Sequence, residues 1–313
     1  MEKFKIALLS LLALLVVAAA VFFAANPRDK NKSASDGSKL PSPQGEIEQA
    51  EPTDNLPVTG AEDSLPVLSN QKIGWGCGNH VNERNQTTDS VDAQIKYADL
   101  GAYFVFPDAD KTICLTFDLG YENGYTPAIL DALENAGVKG TFFITMQYVK
   151  EAPDIVRRII ADGHTLANHS VHHPSMPGIS SEKAAAEVTV LHDYIEKEFG
   201  YSMKLFRFPM GEFSENTLSI VNSLGYKSVF WSFAYRDWLT DAQPDPASSV
   251  TKLAKAAHPG AIYLLHTVSS TNAKILPELI ERLRADGYSF SLVTTLAGLD
   301  PPLAKPRGET ILN

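Results

Sequence analysis

From Lys111 towards the C-terminus, short apolar runs alternate with longer amphipathic stretches. Strand candidates occupy residues 112–117, 141–144, 165–168, 205–208, 228–231, 261–266 and 289–293; helix candidates lie at 127–135, 154–161, 181–199, 214–223, 248–257 and 274–285. Several helices follow a capping residue and stop at glycine, as at Gly137, Gly163, Gly200, Gly225 and Gly287. This β–α alternation predicts an α/β domain with a parallel sheet, because a helix between two strands returns the chain to the edge it left. About seven strands suit a barrel or a doubly wound sheet, and periodicity does not choose between them. Asp118, His169, Arg207 and His266 each stand at or just past the C-terminal end of a candidate strand, and Asp237 follows another in a loop. In parallel α/β folds that edge carries the active site.

The N-terminal part is organised differently. Residues 6–25 form a 20-residue apolar run interrupted only by Ser10. That is long enough to span a bilayer and longer than the apolar region of a usual signal peptide. An uncleaved anchor is the expectation and a cleaved signal the alternative. Lys3 and Lys5 on one side and Arg28, Lys30 and Lys32 on the other leave orientation open. Residues 26–70 are rich in Ser, Asp, Pro, Gly and Glu and lack aromatics, a composition that cannot offset ordering entropy and reads as a disordered linker. The expected layout is a membrane or signal segment at 1–25, the linker at 26–70, one domain at 71–300 and a tail at 301–313.

The formal net charge of −10 argues against nucleic acid as a partner, since its binders present basic patches, and against a polybasic membrane surface. A neutral or amino-sugar polymer is compatible with it. Cys77 and Cys114 are too few for a disulfide framework or a cysteine-rich zinc site. Cys114 sits inside an apolar strand pattern and reads as a buried free thiol, with a Cys77–Cys114 bridge as the alternative outside the cytoplasm.

Five segments hold chemistry. In His169-Ser170-Val171-His172-His173 the outer histidines are four apart, so a helical turn would place both imidazoles on one side, able to share a metal; chance clustering is the plain alternative. His172 points away from the pair in that geometry. Asp118 runs from a strand into a glycine-bearing turn (Gly120, Tyr121) and suits a general base, a ligand or merely a turn cap. Arg207 precedes the rigid turn Pro209-Met210-Gly211 and suits a bidentate clamp on a carboxylate or a structural ion pair. Asp237 stands beside Trp238, whose ring suits a pocket wall or a sugar-stacking surface. His266 ends an apolar strand, where a satisfied core histidine is the ordinary outcome. Trp231, at the end of another apolar strand, reads as core.

Taken in order, these segments resemble the carbohydrate esterase family 4 polysaccharide deacetylases, the NodB-homology group, over residues 111–296. Within that family the chain is similar to the PdaA-like, delta-lactam-biosynthetic de-N-acetylases of sporulation. The likeness rests on Trp75-Gly76, the stretch from Asp118 to Tyr125, Phe213-Ser214-Glu215, Phe230-Trp231-Ser232, Asp237-Trp238 and Leu264-Leu265-His266-Thr267. The resemblance implies a distorted (β/α) barrel of about seven parallel strands and makes 71–300 a catalytic domain. It implies Asp118 as catalytic base, Arg207 as the residue orienting it, His266 as catalytic acid and Asp237 as the acid that tunes His266. His169 and His173 would bind a divalent metal, zinc or another divalent ion. Trp238, Gly120, Tyr121, Pro209 and Gly211 would contact the sugar.

The implied partner is the peptidoglycan glycan strand, acted on outside the cytoplasm by a monomeric domain that is anchored through its N-terminus or secreted to the wall or spore cortex. Two departures stand out. Leu119 occupies the position where the family carries a metal-binding Asp, or Asn in the delta-lactam group, and Met210 replaces an Arg frequent in that group. The alternatives are a deacetylase of N-acetylglucosamine, a wall-binding pseudoenzyme favoured by Leu119, and a structural protein of the septum or spore membrane.

Overall fold

The structure, a computed structural model, describes residues 68–299. The expected anchor or signal segment (1–25), the linker up to residue 67 and the tail at 301–313 lie outside those residues. Among the described residues no helix is long and apolar enough to cross a membrane. The last linker residues belong instead to the folded part. The Ser69 carbonyl accepts from the Asn216 amide, and Asn70 Oδ1 accepts from Ser214 Oγ at 2.9 Å.

Eleven strands are present among the described residues: β1 (Ile73–Gly74), β2 (Ala102–Tyr103), β3 (Thr112–Leu119), β4 (Thr141–Ile144), β5 (Thr165–Asn168), β6 (Leu205–Phe206), β7 (Glu212–Phe213), β8 (Lys227–Val229), β9 (Phe233–Ala234), β10 (Ala261–His266) and β11 (Ser289–Phe290). Nine of them form one parallel sheet in the order β2-β8-β6-β5-β4-β3-β10-β9, with β11 also on β3. β1 and β7 make a separate antiparallel pair. The sheet matches the expected distorted barrel in its parallel, curled form and is left unclosed: among the described residues its end strands, β2 and β9, do not pair with each other. The sheet also exceeds the expected seven strands. β2 and β9 have two residues each, too few for a period-2 pattern to register.

The six expected helices form, some with shifted ends. Ser270–Ala285 begins four residues before the expected start, because Ser269 Oγ accepts the Asn272 amide and caps a polar first turn. Three helices among the described residues escape the sequence pattern, one of them the four-residue Val293–Leu296, which starts on the last residue of the expected strand 289–293. Thr88–Tyr97 buries only Ser90, Ala93 and Tyr97, a weak apolar stripe. Met146–Glu151 is six residues long and is started by the Thr145 side chain, which accepts from the Tyr148 amide.

The two faces of the sheet have different cores. The larger holds Ile113, Leu115, Phe117, Phe142 and Leu166 with the apolar faces of the helices. The smaller, with one residue each from β3, β4, β5, β6, β8 and β10, holds Cys114, Phe143, Ala167, Leu205, Val229 and Ile262. Strand side chains alternate faces, so the residue two beyond each of these returns to the same face. Two steps from Cys114 reach Asp118, one from Ala167 reaches His169, one from Leu205 reaches Arg207 and two from Ile262 reach His266. Cys114 and Cys77 are both free thiols, so the bridge is absent; Cys114 is fully buried, which pushes its thiol pKa far up.

Candidate active site

Register brings the strand ends together. His266 sits beside Asp118 across the β10–β3 ladder, and Asn168 pairs with Phe206, so His169 and Arg207 leave the sheet side by side. Arg207 has no solvent exposure. Its Nη1 donates to Asp118 Oδ1 at 2.7 Å, Nη2 to Thr116 Oγ1 at 2.8 Å and to the Phe230 carbonyl at 3.1 Å, and Nε to the Val229 carbonyl at 3.0 Å. Its guanidinium also lies 4.1 Å from the Phe143 ring centre. The expected bidentate clamp is thus a single bond, since the second arm is held by Thr116 and a backbone carbonyl. Asp118 Oδ2 is left to face His169 Nε2 at 3.5 Å. Burial alone would raise the Asp118 carboxyl, but Arg207, followed by His169 and His266, outweighs it and holds the pKa below the ordinary carboxylate value.

The expected helical turn at the histidine pair does not form. Ser170 (φ +72°) and His173 (φ +57°) take left-handed backbone conformations in an irregular loop. Asn168 Oδ1 accepts the Ser170 amide at 2.8 Å, and Ser170 Oγ accepts the His173 amide at 2.9 Å. These local bonds stand in for helical ones and still bring the two rings to 4.8 Å between centres. His169 Nδ1 lies 2.9 Å from the Arg207 carbonyl, which can only accept, so Nδ1 carries the proton and Nε2 presents a lone pair toward Asp118. Burial pushes the His169 pKa down to about 4 and lowers that of His173. Both imidazoles are therefore neutral near pH 7. His172 is an exposed bystander, paired through Nδ1 with Glu187 at 2.7 Å.

His266 is set the other way. Burial lowers its pKa, but the Asp237 carboxylate and, more weakly, Asp118 outweigh burial and the net shift is upward. Asp237, fully buried, accepts His266 Nδ1–H on Oδ1 at 2.7 Å; its Oδ2 accepts the His266 amide at 2.8 Å and Asn272 Nδ2 at 2.5 Å. Gln243 Nε2 donates to the Asp237 carbonyl at 2.7 Å, and the Tyr235 hydroxyl holds Asn272 Oδ1. One site thus combines a stabilised carboxylate, two neutral imidazoles and one imidazole biased toward its charged form. That separation of proton affinities is what acid–base chemistry needs.

Thr116, Asn272, Tyr235 and Gln243 were not anticipated. Thr116 was readable, since it stands two residues before Asp118 on the same strand face. Asn272 is 35 residues from Asp237 in sequence, and neither it nor Gln243, in the loop six residues after Asp237, carries a periodic signal. Of the expected sugar contacts, Trp238 is exposed with its ring 5.4 Å from that of His266. Exposed Tyr121 and Gly120 line a cleft of about 540 Å³ that reaches His173. Pro209 and Gly211 are buried, with Met210 exposed between them. Gly211 (φ +67°) is shaped by packing rather than by a ligand: a Cβ there would lie 2.8 Å from Trp231, itself buried in the main core as expected.

The donor set suits a divalent ion held on two imidazoles, because His169 and His173 are neutral and adjacent and His169 presents a free lone pair. A third protein donor is missing. Leu119 is fully buried in the main core, and no group of three His, Cys, Asp or Glu side chains among the described residues is arranged to hold a metal.

Residues 107–229 match the polysaccharide deacetylase family model, a match that ends before Asp237 and His266. The chain is 38% identical over 241 residues to the peptidoglycan-N-acetylmuramic acid deacetylase PdaA of Bacillus subtilis, covering 76% of this chain and 91% of that protein. The solved structure of that family 4 carbohydrate esterase superposes with a TM-score of 0.69 at 37% identity, covering 74% of this chain and 99% of that one. A peptidoglycan-N-acetylglucosamine deacetylase of Bacillus cereus is 34% identical over 200 residues, 61% of this chain and 90% of that protein. A family 4 pseudoenzyme from Bacillus anthracis is similar at 28% identity and a TM-score of 0.59, over 62% of this chain and 68% of that one.

Proposed function

Since the chain belongs to the polysaccharide deacetylases of carbohydrate esterase family 4, a family of hydrolases, we propose that it removes N-acetyl groups from peptidoglycan amino sugars outside the cytoplasm. The substrate we favour is N-acetylmuramic acid, on the route to the muramic delta-lactam of the spore cortex. The observation that carries the reading is the convergence of Asp118, held by Arg207, with His266, held by Asp237, on adjacent strand ends. Residues 1–25 would tether or export the domain.

His169 and His173 would hold a divalent ion, zinc or another, which when bound supplies Lewis-acid polarisation of the acetyl carbonyl and a more acidic water. The remaining chemistry belongs to the chain. Asp118 Oδ2, free of the Arg207 bond, takes a proton from the attacking water while Arg207 keeps the carboxylate from turning. His266 has Nδ1 tied to Asp237, so Nε2 delivers the proton to the amide nitrogen as the C–N bond breaks. Water and the acetamide become acetate and a free amine. Trp238, beside His266, offers a face for a sugar ring.

The test is acetate release by the full chain from peptide-free, muramic-containing glycan strands, with and without a chelator. Chelator-sensitive release, reduced at least about a hundredfold in Asp118→Asn, is expected from loss of the base. Full activity in that variant would overturn the assignment. A second reading, a wall-binding pseudoenzyme, is favoured by one observation, the buried Leu119 at a metal-donor position. It predicts glycan binding with no acetate release under any divalent metal. Product analysis on matched glucosamine strands separates the two deacetylase substrates.

A further inference from the structure

The cleft that reaches His173 holds a charge that the chemistry above does not use. Gly120, Tyr121, Gln147, Lys150 and Val171 line it with the histidine, and none of its lining residues is an acid. The chain as a whole carries 37 acidic and 27 basic residues. Lys150, in the last turn of the helix Met146–Glu151, is exposed and has no ion pair or hydrogen bond with any described residue. The carboxylates near the cleft in sequence are engaged elsewhere. Glu151 accepts from Gln147 at 2.8 Å, Glu187 pairs with His172, and Glu122 accepts from the Gly124 amide, Thr126 and Tyr148. The result is a concave surface of ligand-pocket size with one unpaired cation, opening beside the candidate reaction centre.

We propose that Lys150 determines substrate specificity by pairing with a free carboxylate on the sugar being deacetylated. The proposal rests on the deacetylase reading and sharpens it. In a muramic residue the lactyl ether stands on the ring carbon next to the one bearing the acetamide, so its carboxylate must lie alongside the acetyl group. With the acetyl group at the histidine pair, the adjoining cleft is where that substituent goes. A stem peptide converts the carboxylate to an amide and removes the charge, so Lys150 favours strands already freed of peptide.

The test uses the full chain and its Lys150→Gln and Lys150→Arg variants. N-acetylmuramic acid, its neutral lactyl methylamide and N-acetylglucosamine are titrated by ligand-observed NMR, with acetate release followed in parallel. The wild type should bind the free acid roughly fivefold more tightly than the amide, as one partly exposed ion pair allows, and less so at high salt. Lys150→Gln should abolish that preference without changing affinity for the amide or for N-acetylglucosamine, and Lys150→Arg should keep it. Equal affinity for acid and amide in the wild type, or a preference that survives in Lys150→Gln, overturns the proposal. A preference that behaves as expected, with no acetate release from the muramic glycan strands under any divalent metal, supports the carboxylate subsite and overturns the deacetylase reading alone.

Discussion

Replacing Asp237 by Asn tests how His266 is kept protonated. Three donors converge on the Asp237 carboxylate: His266 Nδ1–H on one oxygen, and the His266 amide and Asn272 Nδ2–H on the other. An Asn side chain has one acceptor oxygen. If that oxygen serves the two donors on the Oδ2 side, its NH2 faces His266 Nδ1 and demands a lone pair there, which the imidazolium lacks. If it serves Nδ1, two donors meet an NH2. Either arrangement loses a charge-assisted bond worth about 1.5–3 kcal/mol, equivalent to about 1–2 pH units on His266. Burial, which lowers the His266 pKa, stays in place. The sign follows from the acid role: the proton donor is lost as pH rises through its pKa. The raised value in the wild type puts the alkaline limb of the kcat/KM profile high, and the variant's limb should fall by at least about one unit. The assay is acetate release across neutral and alkaline pH, with circular dichroism confirming the fold. An alkaline limb that does not move in Asp237→Asn would refute the assignment of His266 as the acid tuned by Asp237.

Two further outcomes are expected. Arg207→Met leaves Asp118 buried without its cation and frees the Val229 and Phe230 carbonyls, so stability to urea should fall by about 3–5 kcal/mol. Because the folded Asp118 pKa is depressed, the pair's stabilisation is present above the ordinary carboxyl value and disappears as pH falls through the folded one, so the deficit should shrink in acid. Leu119→Asp buries a carboxylate in the main core and should lower Tm without metal, whereas zinc should raise Tm more in the variant than in the wild type, because a third donor joins two imidazoles. Equal zinc shifts would show that position 119 cannot reach the histidine pair.

Much of the scaffold was legible because it is written in local periodicities. β4, β5 and β10 and the helix Ser181–Phe199 coincide with their predicted spans, each long enough and apolar enough to declare its period. The two-residue strands β2 and β9 and the six-residue helix Met146–Glu151 were not, since a period cannot be read from so few residues. The two histidine rings do lie close together, but not on the helical turn that their spacing suggests. They meet through left-handed turns at Ser170 and His173, held by the Asn168 and Ser170 side chains.

The sequence alone determined the β–α alternation, the strand ends from which the polar residues emerge, and the order of the chemical groups along the chain, because period and capping are properties of neighbours in the chain. Only the tertiary structure decided which of those groups share protons and charge. Arg207 reaches Asp118 with one arm and Thr116 with the other, Asn272 braces Asp237, and Lys150 stands unpaired in a cleft without acids. These relations join residues tens of positions apart through parallel register and helix docking. Charge, burial and hydrogen bonding act through space, so no local pattern in the chain announces them.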